Sequence, residues 1–348
     1  MKATPYLTAL MLFYNIANAQ LSPDSRGMAG IRFLFYNAEN LFDPFNDTLT
    51  NDDDFTPEGS MRWTWKKMEQ KILQISRVII ASGGWELPAI VGLCEIENRF
   101  VLERLAASPL LSFSSSRYRV VHYDSPDYRG IDVGLLYRPE KLRLIASRPL
   151  SITLPDDSTF RTRDILYATF TTLHNDTLHI FINHWPSRRG GAEASVHKRI
   201  CAATNLRQLV DSLFENNSDA NILIAGDFND EPMDSSVHMV LRAKPAHEAK
   251  ENDLINLMYP LYKKGAGTHA FKELQGMHFG ILDQIIVSAA LYEGKKNTLT
   301  DAAIGYFPFL LMTTADGDVV PFRTNAGPRY LGGHSDHLPV MVDIMTVQ

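Results

Sequence analysis

Around position 225 the chain reads NILIAGDFND, an apolar run that stops at a glycine and is followed at once by a carboxylate and a carboxamide. Ile222 to Ala225 has the continuous apolar character of a strand buried on both faces, and Gly226 gives the backbone freedom for a sharp turn. Asp227 and Asn229 stand two residues apart, so if the strand direction persists both project to one side and Phe228 to the other. A carboxylate and an amide aimed at one spot suit a divalent cation, a water nucleophile or a phosphate. The competing reading is an Asx-rich turn, because Gly, Asp and Asn are the commonest turn residues.

Polar groups stand at the ends of other predicted strands as well. Ile31 to Tyr36 ends in Asn37, Glu39 and Asn40, and Ala89 to Cys94 delivers Glu95, Glu97 and Asn98. Thr177 to Asn183 runs into His184 and the turn Trp185 to Gly191, which carries Arg188 and Arg189. Asp283 lies inside Ile281 to Val287, and Asp336-His337 precedes a terminal strand, Leu338 to Ile344. Further strands are predicted at Tyr118 to Tyr123, Ile131 to Tyr137 (after Arg129-Gly130), Lys141 to Leu150 and Asp164 to Leu173. Thr64 caps a helix to about Ser82, with Met68, Ile72, Ile75 and Ile79 at helical spacing. Phe100 to Ala107 and Ala192 to Phe214 are the other helices, and a polar, helical stretch is expected before Ile281. The acidic segment Asp43 to Gly59 contains Asp52-Asp53-Asp54-Phe55-Thr56. No buried strand precedes it, as a phosphatase Asp-x-Asp-x-Thr motif requires, and Pro57 stands where an EF-hand needs Gly, which leaves a solvated, cation-attracting loop.

Length and composition bound these readings. The 348 residues are 45% hydrophobic and show no repeat or linker, which fits one large α/β domain over residues 20–348. Residues 1–19 read as a secretory signal peptide: Lys2, a short apolar run from Tyr6 to Ala17, and the small-x-small site Ala17-Asn18-Ala19. A mature protein that is exported, periplasmic or extracellular, monomeric and without stable membrane insertion is expected. Net charge is −6, or −7 once Lys2 is removed, a poor footprint for tight sequence-independent nucleic-acid binding. Cys94 and Cys201 are expected as two buried free thiols.

Taken in order, Asn37, Glu95, His184, Gly226-Asp227-x-Asn229, Asp283 and Ser335-Asp336-His337 make the chain resemble the endonuclease/exonuclease/phosphatase superfamily, the deoxyribonuclease I-like fold. The resemblance covers about Ile31 to Ile344. FYNAENLFD, RGIDVGLLY, NHWPSRRGG, GDFND, LDQIIVS and SDHLPV are especially similar to exported bacterial members. It implies an α/β four-layer sandwich, two mixed β-sheets face to face with helices outside, that hydrolyses phosphate esters with Mg²⁺ or Mn²⁺.

The resemblance also implies roles. Glu95, with Asn37 and Asp336, belongs to the metal shell. His337 pairs with Asp283; either His337 or Asp227 is the base, with Asn229 orienting water or phosphate. His184 is placed to protonate the leaving oxygen. Asn183, Arg129, Arg188 and Arg189 are candidate substrate contacts, and Arg323 and Arg329 are further cations; solvated loop arginines are the alternative. Trp63, Trp65 and Trp185 fit base stacking, or core and lid packing for the first two. The expected partner is a phosphate ester, with DNA or RNA first. A sphingomyelinase-like or phosphatase activity is the alternative, although QGMHFGILDQ lacks the Pro-Ala-Trp-Cys-Asp-Arg pattern of inositol polyphosphate phosphatases. A non-catalytic module of the same fold is the remaining reading, set against the full occupancy of the expected positions.

Overall fold

The computed structural model describes residues 30–346 apart from 113–116, 274–275 and 295–296, so the predicted leader lies outside the described residues. In chain order the first strands are β1 (Gly30–Leu41), β2 (Ile90–Ile96), β3 (Arg119–His122) and β4 (Asp132–Tyr137). Then come β5 (Leu142–Leu150), β6 (Ile165–Thr172), β7 (Thr177–His184), β8 (Asn221–Asp227), β9 (Ala243–Lys244) and β10 (Leu254–Asn256). A hairpin, β11 (His269–Glu273) and β12 (Gly276–Gly280), precedes β13 (Asp283–Ser288), β14 (Asn297–Leu299), β15 (Ala303–Ile304) and, past shorter pairs, the C-terminal strand Val340–Thr346.

Two mixed sheets of seven strands result. One runs β14, C-terminal strand, β1, β2, β4, β3, with β15 also on the C-terminal strand; the other runs β5, β6, β7, β8, β13, β10, β9. Apolar side chains of both inner faces, among them Phe33, Phe35, Leu135, Ile180, Ile182 and Ile285, share one core between the sheets. The outer face of the first sheet is covered by helices Trp65–Gly83 and Arg99–Ala106, through Met68, Ile72, Ile75, Leu102 and Leu105. Helix Ala192–Asn216 covers the second sheet through Ala203, Leu206 and Val210. Helix, sheet, sheet and helix are the four expected layers, because each amphipathic element must bury its apolar face. Thr64 caps its helix, accepting from Lys67 N.

Some expectations are corrected. Between Asp230 and Ile281 the structure has a π-helical turn (Ser235–Val240), strands of two and three residues and the hairpin as well as one short helix, Tyr259–Lys263. Strands so short carry no readable period. Cys94 is buried, but Cys201 is half-buried and its Sγ donates to Thr153 O at 2.8 Å; both are free. Trp63 and Trp185 are wholly buried, so Trp185, packed edge-on to Phe228, is not available for stacking on bases.

Register decides where the polar residues meet. In the second sheet Asp227 pairs with His184 on one side and with Asp283 on the other, so the three share one row and one face. In the first sheet Asn37 pairs with Cys94, after which both β1 and β2 shift register. Glu39, Asn40 and Glu95 there adopt left-handed backbone, φ 48°, 59° and 57°. This local strain turns the strand ends away from the regular ladder and frees Glu95 from the core alternation. Gly226 makes the row possible, since a Cβ there would lie 2.4 Å from Asn183 O. Gly226→Ala is therefore expected to cost about 1–3 kcal/mol by overpacking, read from urea unfolding; an unchanged midpoint would contradict this account of the β7–β8 contact.

Candidate active site

The two sheets come closest electrostatically at Asp227. Its Oδ2 accepts from Asn37 Nδ2 at 3.1 Å, across the gap between the sheets. The same oxygen lies 3.7 Å from His184 Nε2 and 3.8 Å from His337 Nε2. His337 Nδ1 donates to Asp283 Oδ2 at 2.7 Å, which fixes the ring's tautomer and orientation. Asn37 Nδ2 also reaches Glu95 Oε1 at 3.3 Å, and Glu95 Oε2 accepts from Asn40 N at 3.0 Å. One carboxylate oxygen is thus surrounded by two imidazoles and an amide, with Glu95 alongside.

Burial sets the charges. Asp227 is 2% exposed, and burial, together with Asp283, raises it to about 6 against the opposing pull of His337. Burial alone would lower His337, but Asp283, Asp227 and Asp336 raise it well above the ordinary histidine value. His184 moves the other way: burial, then Arg163, Arg129 and His337, push it well below. At neutral pH the site holds an imidazolium at His337 and a neutral imidazole at His184. Cys94 beneath them senses the same field, its thiol raised by burial and then by Asp227, Glu95 and Asp283. Oxygen donors at Glu95 and Asn37 amid this negative charge fit a hard divalent cation such as Mg²⁺ or Mn²⁺.

A family model for the endonuclease/exonuclease/phosphatase family matches residues 32–346. The chain belongs to this family. Among solved structures, the family's fold is shared with a Bacteroides thetaiotaomicron mannosyl-6-phosphatase at 15% identity, covering 90% of this chain and 99% of that one with a TM-score of 0.56. It is shared also with D. rerio TDP2 complexed with a single-strand DNA product, at 16% identity, 90% and 98% coverage and a TM-score of 0.53. Human nocturnin aligns over 92% of this chain and 96% of its own at 15% identity, TM-score 0.53. No curated protein matches in sequence. Identities this low carry the fold and not the substrate.

Within this family member the remaining predicted residues fall into place unevenly. Asp336 gathers with His269 and His337, accepts from Arg323 Nη2 at 2.9 Å, and is held well below the usual carboxylate range by His269, His337 and Arg323 although burial opposes this. The strand ends at Asp227, so Asn229 does not continue its direction. Asn229 sits in left-handed backbone, φ 51°, with its N bonded to Asp227 Oδ1 and its Nδ2 donating to Trp185 O. It is the Asx turn, and that turn is what holds Asp227. Asn183 is not a substrate contact: it is fully buried, donating to Ala225 O and accepting from Trp185 Nε1. Arg188 is bound to Asn229 O, Asp230 and Asp234, so its guanidinium braces the 227–234 turn and does not stand free for a phosphate. Arg189 is exposed, whereas Arg129 is half-buried with Nε 3.6 Å from Asp127.

Four residues outside the sequence-based set prove structurally important. Buried Arg163 donates to His184 O, Trp185 O and Asp127 Oδ2, clamping the end of β7. His269, at the base of the hairpin, lies against His337 with ring centroids 4.5 Å apart and planes tilted by 44°, and its Nε2 is 3.8 Å from Asp336. Glu39 accepts from Thr324 N, and burial followed by Asp336 raises it to about 7 while buried Lys71 opposes the rise. Lys71 in turn donates to His334 O. Arg163 clamps a predicted strand end and Glu39 stands at one, at the end of β1, whereas His269 and Lys71 arrive from segments remote in sequence. Nitrogen-15 NMR of the cation-free protein at pH 7 should find His337 protonated and His184 neutral, with the His337 titration moving down in Asp283→Asn. A neutral His337 at pH 7 would contradict the assigned electrostatics.

Proposed function

We propose that this protein is an exported phosphodiesterase, with nucleic acid as its substrate class and Mg²⁺ or Mn²⁺ as cofactor. The observation that carries the reading is the convergence of His184, His337 and Asn37 on one oxygen of Asp227. Asp227, raised to about 6, is a base matched to neutral pH and takes the proton of the attacking water. His337, already charged, cannot serve as base; its Nε2–H donates to a phosphoryl oxygen, and Asp283 stabilises the imidazolium. Neutral His184 supplies an Nε2–H hydrogen bond to the leaving oxygen, which stabilises charge developing there without requiring full transfer. Glu95 and Asn37 would hold the cation, whose chemistry is Lewis-acid stabilisation of phosphoryl oxygens.

Electrostatics favours a diester over a monoester. Glu95, Asp227, Asp283 and Asp336 line the region, while Arg188 and Arg323 are committed to carboxylates of this chain. A diester monoanion is repelled less by that set than a terminal dianion. Export is supported by the predicted leader at residues 1–19 alone. The second reading is hydrolysis of a small phosphate monoester, which does not require a polyanion such as nucleic acid to approach a chain of net charge −6.

The test is a parallel assay on plasmid DNA, RNA, bis(p-nitrophenyl) phosphate and p-nitrophenyl phosphate. Turnover should require Mg²⁺ or Mn²⁺ and stop with chelator. Because the base must be ionised, the rate should rise with pH through about 6 and be lost below it. Asp227→Asn should reduce turnover by about 10²–10⁴. Preference for the monoester by more than about tenfold in kcat/KM would sink the diester reading, and full turnover without cation would sink the metal dependence.

A further inference from the structure

A buried threonine outside the catalytic row bonds to the backbone on both sides of the His337–Asp283 contact. Thr268, wholly buried, immediately precedes β11. Its Oγ1 accepts from Leu282 N and from Asp283 N, both at 3.1 Å, and gives its own proton to Gly280 O at 3.4 Å. Its carbonyl accepts from Leu338 N at 2.7 Å, and the next residue, His269, forms an antiparallel bridge with His337. Its N donates to Gly280 O at 2.8 Å, closing the base of the hairpin. Ahead of it the Gly267 peptide is gripped by Tyr306, whose hydroxyl accepts from Gly267 N at 3.1 Å and donates to Gly267 O at 2.9 Å. The hairpin, the start of β13 and the approach to the C-terminal strand therefore meet on one residue.

Asp283 relies heavily on that anchorage. Its Oδ2 is bound by His337 Nδ1, but its equally buried Oδ1 has no donor among the described residues. With a single side-chain partner, the direction from which the carboxylate meets the imidazole is set by its backbone. We propose that Thr268 is a positioning residue for the Asp283–His337 pair, its hydroxyl fixing the main chain under the carboxylate and its carbonyl fixing the main chain beside the imidazole. A hydroxyl is required there, because two amides converge on one oxygen and a valine of the same shape offers none. The commoner role of a buried threonine hydroxyl is to satisfy turn amides and no more. That role would support stability but would not govern where the imidazole stands. The effect on turnover rests on the phosphodiester reading above, in which the direction of His337 Nε2–H matters; the effect on the His337–Asp283 bond does not.

The experiment compares, in the full chain, Thr268→Val, which removes the acceptor, with Thr268→Ser, which keeps it. Thermal unfolding first establishes that each is folded; if Thr268→Val is not, Thr268→Ala, which leaves room for a water to satisfy the two amides, replaces it with the same expected outcome. Proton NMR of the cation-free protein should show the hydrogen-bonded Nδ1 proton of His337 as a downfield resonance, assigned by its loss in His337→Gln. That resonance should persist in Thr268→Ser and be lost or shifted upfield in Thr268→Val. On the phosphate ester that the wild type turns over fastest, Thr268→Val should lower kcat by about 10–10²-fold with KM changed by less than about threefold, because misplacing a reacting group slows the step more than it weakens binding. Thr268→Ser should restore most of that rate. A folded Thr268→Val or Thr268→Ala protein with the resonance and kcat of the wild type would overturn the proposal, as would loss of both in Thr268→Ser melting like the wild type. If the wild type turns over no phosphate ester, the functional reading falls and the Nδ1 resonance alone decides the positioning role.

Discussion

Like charge forced together at the junction of two sheets is the constraint on which the rest of this structure depends. The row His184, Asp227, Asp283 is fixed by the register of β7, β8 and β13, which places two carboxylates as cross-strand neighbours in a water-poor place. Such a pair is destabilising on its own. The fold answers with His337, delivered from the loop before the C-terminal strand and bound to Asp283, and with Asn37, delivered from the other sheet and bound to Asp227. Charge balance in the site therefore requires the two sheets to pack face to face.

Support for that arrangement comes from two buried cations, Arg163 and Arg199, and the half-buried Arg188, set back from the chemistry. Arg199 pairs with Asp230 at 2.7 Å, Arg188 holds the backbone of Asn229, and Arg163 holds the carbonyls of His184 and Trp185. Each satisfies groups that would be costly to leave unpaired in the interior. None competes with substrate for the reactive oxygens. Positioning by buried guanidinium explains how side chains on strand ends and turns reach the precision that acid–base chemistry demands.

The legible part of the site was the part that sits on regular structure. His184 and Asp227 each end an apolar run, and period-two logic predicts where such residues point, whereas Asp283, expected inside Ile281 to Val287, opens β13. The four-layer arrangement was what the resemblance to the family implied, while the apolar runs and amphipathic helices marked the elements that build it. Illegible were contacts that depend on where a strand stops. Asn229 was placed by assuming that β8 continues, whereas the Asx turn reverses it. Lys71 lies on the apolar face of its helix, among Met68, Ile72 and Ile75, where helical spacing calls for a hydrophobe; only the buried oxygens of Thr324 and His334 explain it. His269 and Arg163 come from segments whose partners are remote in sequence, and the free-looking arginine at 188 proved to be bound by its own chain.

The central claim is that a single buried carboxylate, Asp227, carries the base. Carbon-13 NMR titration of the Asp227 carboxyl group measures this directly. The account predicts a midpoint near 6, moving upward in His337→Gln as the neighbouring imidazolium is removed. A midpoint in the ordinary aspartate range, unmoved by loss of His337, would contradict it.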